Sequence, residues 1–224
     1  MHPLSDIPAE ALLDKAALRK QLRARRAALT VAERQAAGRQ LVRLALRHRL
    51  LAGRRRIGFY MPSKFEIDVV PLLKTALRMG VACYLPVVPR RALASAGRRK
   101  MWFTRLIGVD NPLQRPHSAW VDNRYGIPEY LPRAVRHVRS RQLDVLFVPL
   151  LGFDRQGWRI GMGGGYYDAS LAHLKRRRHW RRPHLIGVAF SVQEVACAPN
   201  DPWDVPLDGM LTEQTYRTAS RPRS

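Results

Sequence analysis

An α/β fold with a mainly parallel sheet is predicted by three features of this 224-residue chain. Short β-branched and aromatic runs recur at wide intervals: RIGFYM from residue 56, VLFVPLL from 145 and LIGVAF from 185. Each has the length of a buried strand and is too short for a buried helix. Between the strand-like runs stand segments of helical periodicity, and strand–helix–strand alternation implies parallel pairs with right-handed crossovers. Hydrophobic content of 46% is ordinary for a globular protein with a real core, and no apolar run approaches a membrane span.

Taken in order, residues 1–8 read as loose, and a helix is expected from residue 9 to 29, with Leu12, Leu18, Leu22 and Leu29 among charges. Lys15 and Arg19 are four apart and share a face of that helix. By position alone they are two of many solvated cations. Thr30 and Glu33 form a capping box that opens a second helix to about His48, with Ala37, Leu41, Leu44 and Ala45 inward. The run from 56 to 61 is a strand, followed by a loop carrying Glu66. Asp68 caps a helix that Gly80 closes, and residues 81–85 form the next strand. Ligands of open α/β sheets bind beyond the carboxyl ends of the strands, where Glu66 stands.

Residues 86–100 read as a polar loop, 100–106 as a strand, 107–123 as irregular, and 125–129 (YGIPE) as a turn presenting Tyr125 as a flat wall. Residues 133–141 are a polar connector or short helix. The strand from 145 to 151 leads through a polar turn (Asp154 to Gly157) into Arg159, and then into Gly161, Met162, Gly163, Gly164, Gly165, Tyr166, Tyr167 and Asp168, with a helix expected from 169 to 178. Glycine admits positive φ and close approach, and successive amides in such a turn favour an anion, typically phosphate. The spacing is neither a Walker A loop nor the dinucleotide fingerprint. Arg159 adds a phosphate-pairing cation, and Asp168 a hard oxygen suited to Mg2+. After the strand at 185–190 comes a capping-box-like turn at 191–194. Prolines 199, 202 and 206 then exclude a long helix or central strand between 199 and 213, leaving Asp204 and Asp208 on an ordered loop. Residues 217–224 read as a disordered tail.

The net charge of +23 invites a nucleic-acid reading, but 34 of the 40 basic residues are arginine and they are spread over the whole chain. No aromatic interleaving or helix-turn-helix signature accompanies them, so most of the charge reads as solvated surface. The start lacks a secretory signal and there are only two cysteines, Cys83 and Cys197. The protein is therefore expected in the cytoplasm, without a membrane or a specific nucleic-acid partner.

Several stretches together resemble the 5-formyltetrahydrofolate cyclo-ligase (5,10-methenyltetrahydrofolate synthetase) family. They are DKAALRKQLRARR, FYMPSKFEID, YGIPE, GFDRQGWRIGMGGGYYDASL and PNDPWDVPLDGMLTE. The resemblance implies a three-layer α/β/α sandwich forming one catalytic domain over residues 9–216, acting as a monomer. It implies ATP- and Mg2+-dependent cyclisation of 5-formyltetrahydrofolate through phosphorylation of the formyl oxygen. Lys15, Arg19 and residues 159–167 would hold ATP phosphates, and Asp168 with Asp204 would hold Mg2+. Met61, Glu66, Tyr125 and Tyr167 would line the reduced-folate pocket, and Arg159, Tyr167 and Asp168 would act at the reacting atoms. Some relatives carry Arg and Lys where this chain has Met162 and Gly164, which shifts phosphate contact to the loop's backbone. The sequence leaves open whether Asp204 or Asp208 is the second metal-site acid. It also leaves two competing readings, a basic α/β nucleic-acid binder and another ATP-using ligase sharing the loop.

Overall fold

Alternate residues of one strand separate two cores. In β6 (Val145–Pro149), Val145 and Phe147 join a cluster with Ile57, Phe59, Leu72 and Ile186, whereas Leu146 and Val148 join Phe103, Leu171, Leu185 and Met210. A strand apolar on both faces must be covered on both faces. Helices α2 (Val31–Arg47) and α3 (Val70–Arg78) cover the first face, and α4 (Tyr166–Leu171) lies against the second. This is the expected three-layer sandwich, described by a computed structural model over residues 15–54, 56–89, 99–107, 119–132, 137–176 and 182–220.

The other elements are α1 (Lys15–Ala27), β1 (Arg56–Gly58), β2 (Ala82–Val87), β3 (Trp102–Arg105), β4 (Trp120–Asp122), β5 (Pro128–Tyr130), β7 (Gly152–Phe153), β8 (Arg159–Ile160), β9 (His184–Val188), β10 (Gly209–Leu211) and β11 (Tyr216–Thr218). The main sheet has the order β11-β10-β9-β6-β1-β2-β3, parallel throughout except at its two edge strands. Helix α2 begins with the expected reciprocal cap: Thr30 accepts from the Glu33 amide, and the Glu33 carboxylate accepts from the Thr30 amide. Asp68 accepts from the Val70 amide at the start of α3, and Gly80 (φ 75°) closes that helix as expected.

Four expectations are corrected. The chain at 199–213 does contain an inner strand: β10 begins three residues beyond Pro206 and pairs with β9, because Gly209, Met210 and Leu211 keep their amides. Arg217 and Thr218 are not tail but part of β11, and the Ala219 amide still bonds to the Asp208 carbonyl. The segments read as irregular or as a turn hold two hairpins, β4–β5 and β7–β8, whose two- and three-residue strands are too short for period-2 alternation to register. Finally, Ser191 does not cap its own turn, since its hydroxyl and amide bond to Glu213, while Gln193 Oε1 accepts from the Phe190 amide. The expected features within 1–14, 90–98, 108–118, 133–136, 177–181 and 221–224 lie outside the described residues.

Both cysteines are free, but only Cys197 is exposed. Burial pushes the Cys83 thiol up to about 12, and a thiol reacts as its thiolate. Titration of the native protein with a chromogenic disulfide reagent at pH 8 is therefore expected to release one equivalent quickly and the second only after denaturation. Two fast equivalents would contradict the buried position.

Candidate active site

The β7–β8 hairpin is locked by Asp154, a buried carboxylate whose oxygens accept from the amides of Gln156, Trp158 and Ala198 at 2.9–3.0 Å. Its turn needs glycine at 157, where φ is 91° and a Cβ would stand 2.6 Å from the Leu207 carbonyl oxygen. The hairpin delivers Arg159 into the interior, with a side chain only 5% exposed. Arg159 Nη1 donates to the Val205 carbonyl, and Nη2 forms an ion pair with Asp168 Oδ1. One guanidinium thus ties the hairpin to the proline-rich strap at 199–208 and to the first turn of α4.

Residues 161–165 form the rim beyond the hairpin. Gly163 and Gly165 have φ of 98° and 67°, so the turn depends on glycine at both positions. Among the described residues, no amide from 161 to 165 donates to a protein acceptor. Arg19 Nε donates to the Gly161 carbonyl at 3.0 Å, and Arg99 Nη1 approaches the Gly164 carbonyl at 3.5 Å. Cations on the carbonyl side and unengaged amides give the loop a positive field. The helix begins at Tyr166 rather than at residue 169, so Asp168 lies within its first turn.

A cleft of about 710 Å³ opens between this loop and the carboxyl ends of β1, β2 and β6. Of the residues the sequence nominated, Lys15, Arg19, Met61, Glu66, Tyr125, Arg159, Tyr166, Tyr167, Asp168, Asp204 and the 161–165 loop line it. Asp208 does not. Its carboxylate accepts from the Leu185 amide in the sheet, at 2.8 Å. Of the two strap aspartates, only Asp204 is at the cleft.

Charge is balanced locally. Lys15 Nζ forms an ion pair with Asp201 and lies 3.6 Å from Asp204 Oδ2. The strap is turned so that Asp204 Oδ2 also accepts from the Asp201 amide at 2.8 Å. Deeper in, Glu66 Oε2 accepts from the Ser63 amide at 2.8 Å. Tyr167 stands between the ends, close enough to Glu66 and Arg159 to feel both. Burial and then Glu66 raise its pKa and Arg159 opposes them, so its hydroxyl stays protonated and can donate. At the mouth, Tyr125 meets Tyr166 edge-on (6.3 Å, 79°), with Arg124 bonded to both hydroxyls. Tyr125 is thus part of a hairpin-borne clamp rather than an isolated flat wall.

For Mg2+, Asp168 engages Arg159 through Oδ1, and Asp201 and Asp204 stand at the same cleft. Among the described residues, no three acidic, histidine or cysteine side chains converge into a cage. A few carboxylates at one cleft, without a protein cage, fit Mg2+, which binds through one or two carboxylates, waters and phosphate oxygens.

Sequence reasoning missed Arg26, Arg99, Asp201 and Trp203. Arg26 had a readable signal, since positions 15, 19, 22 and 26 form one helical stripe. The others became visible only when distant segments met.

Fold and cleft define the class: an α/β-sheet enzyme with a cleft over the carboxyl ends of parallel strands, beside a glycine-rich loop. A model of the 5-formyltetrahydrofolate cyclo-ligase family matches residues 12–213, and the chain belongs to that family. It is 33% identical over 193 residues to the 5-formyltetrahydrofolate cyclo-ligase of Escherichia coli, covering 85% of this chain and 96% of that one. To the Haemophilus influenzae enzyme of the same name it is 30% identical over 196 residues, covering 87% and 95%. The solved structure of Aquifex aeolicus 5,10-methenyltetrahydrofolate synthetase superposes with a TM-score of 0.71 at 27% identity, covering 94% of this chain and 95% of that one.

Proposed function

We propose that this chain converts 5-formyltetrahydrofolate to 5,10-methenyltetrahydrofolate using Mg-ATP. The observation that carries the reading is the 161–165 loop, whose amides meet no acceptor among the described residues, at a cleft that Glu66 and Tyr125 also line. The chemical difficulty is that an amide oxygen will not leave as oxide. The formyl oxygen attacks the γ-phosphate and ADP departs. Nitrogen 10 then adds to the formyl carbon, its proton passes to the departing phosphate, and the oxygen leaves in that phosphate. Such a reaction needs alignment and charge neutralisation more than covalent help from side chains.

In this reading the loop amides, Lys15 and Arg19 hold the triphosphate. Asp168 and Asp204 would hold Mg2+, which would supply neutralisation of phosphate charge. Arg159 fixes Asp168, and Tyr167 donates to the oxygen that moves from carbon to phosphorus. Met61, Glu66 and Tyr125 hold the folate, Glu66 accepting from ring N–H groups. The compartment proposed is the cytoplasm, which suits two free cysteines, and the working form is a monomer. No nucleic-acid partner is proposed: Lys15, Arg19 and Arg159 at the cleft are each engaged with groups of the site itself.

The direct test mixes protein, Mg-ATP and 5-formyltetrahydrofolate and follows the near-ultraviolet absorbance of the methenyl product. No absorbance change with folded protein would reject the reading. A variant locates the phosphates. Lys15→Met is expected to raise KM for ATP about tenfold, the scale of one charge-assisted hydrogen bond, with little change in KM for folate. An unchanged KM for ATP would remove Lys15 from the phosphate site.

A further inference from the structure

Beneath the folate end of the cleft lies a cation that the roles above do not use. Arg26 is in the last turn of α1 and is 4% exposed, yet its Nε and Nη1 have no hydrogen-bond partner among the described residues. Nη1 lies 3.9 Å from Glu66 Oε1, while the Ser63 amide holds the other oxygen, Oε2. A buried guanidinium with two orphaned nitrogens is costly, and an apolar side chain of similar volume would pack there more cheaply. Packing therefore does not account for it.

We infer that Arg26 is a positioning residue for substrate recognition: with the Ser63 amide, it holds the Glu66 carboxylate in the orientation that accepts the folate ring's N–H donors. The inference rests on the proposed reading that Glu66 meets the folate ring. Each carboxylate oxygen has two lone pairs, so one can face Ser63 or Arg26 while the other faces the cleft. Other groups around this pair come from separate elements: Tyr60 after β1 and Tyr167 on α4 both feel Glu66, and Arg23 lies on the helix of Arg26. The tyrosines are neutral phenols, so Arg26 is the positive partner Glu66 has among them. Burial lowers the Arg26 pKa, and Glu66 is the largest influence raising it again. The spacing adds a consequence. Lys15 and Arg26 are eleven residues apart on one stripe, about 16 Å along the axis, so a single rigid helix carries a cation at each end of the cleft.

The test is a double-mutant cycle on the full-length protein, with KM for 5-formyltetrahydrofolate and for ATP measured separately and thermal melting as a fold control. Arg26→Met is expected to raise KM for folate about tenfold while leaving KM for ATP within twofold. Arg26→Lys keeps the charge without the fork geometry and should fall between Arg26→Met and the unaltered protein. In a Glu66→Gln background, Arg26→Met should add little. If Arg26→Met weakens folate and ATP equally, or keeps its full effect without the Glu66 carboxylate, Arg26 is a structural residue and the inference fails. If Arg26→Met does not fold, Arg26→Lys decides: an unchanged KM for folate overturns the proposal. If Glu66→Gln itself leaves KM for folate unchanged, the folate reading of Glu66 fails first, and the role of Arg26 falls with it.

Discussion

Replacing Asp168 with asparagine is expected to lower turnover by about 10²–10³-fold, the scale of removing one preorganised charge from a phosphoryl-transfer site. Asparagine keeps the shape and one oxygen for the Arg159 hydrogen bond, so the loop and α4 should keep their places. What disappears is the negative charge that would bind Mg2+ and balance Arg159. The fold will not be wholly indifferent, because the Arg159 side chain is 5% exposed and loses its counter-charge. Asp168 is itself 29% exposed, and water screens part of that loss, so a cost of about 1–2 kcal/mol is expected. Rate should be measured against Mg2+ at saturating ATP, beside a thermal melt. Turnover equal to that of the unaltered protein would remove Asp168 from the metal site.

The largest combined effect is expected for Arg159→Met. The guanidinium ties Val205 on the strap to Asp168 on α4, and both bonds go at once. Leaving a buried carbonyl and a carboxylate without their donor is expected to destabilise the protein by about 2–4 kcal/mol. Activity should fall at least as far as in Asp168→Asn, because the strap carrying Asp201 and Asp204 loses one of its ties to the hairpin. A second variant separates chemistry from architecture. Arg159→Met combined with Asp168→Leu removes both charges and should recover part of the lost stability. If it also recovers turnover, the pair is a structural strut and the proposed roles of both residues are wrong. The expected result is a better-melting but inactive protein.

Competing roles for one residue explain why the site was only half legible in the sequence. The residues themselves were readable because their signals are local. Four glycines in five positions announced a turn needing positive φ, and Gly163 and Gly165 adopt it. Four-residue spacing put Lys15 and Arg19 on one face, and both reach the cleft. The partners were not readable, because a partner is chosen by packing between segments far apart in the chain. Lys15 and Asp201 are 186 residues apart, and Arg159 and Val205 are 46 apart. Asp204 and Asp208 look equivalent in the sequence, both in a proline-stiffened strap. Only the pairing of β10 with β9 turns Asp208 onto the Leu185 amide and leaves Asp204 at the cleft.

By itself, then, the sequence determined the class of fold, the Thr30 and Asp68 bonds that open two helices, the positive-φ glycine turn and the family. Each is written in short-range periodicity, in backbone conformations open mainly to glycine, or in contiguous motifs. The tertiary structure alone decided which carboxylate neutralises which cation, that Tyr125 belongs to a clamp with Tyr166, and that Arg26 is buried against Glu66. The reason is physical. Whether a charge is solvated, paired or orphaned depends on what the rest of the chain packs around it, and that environment does not exist until the sheet has assembled.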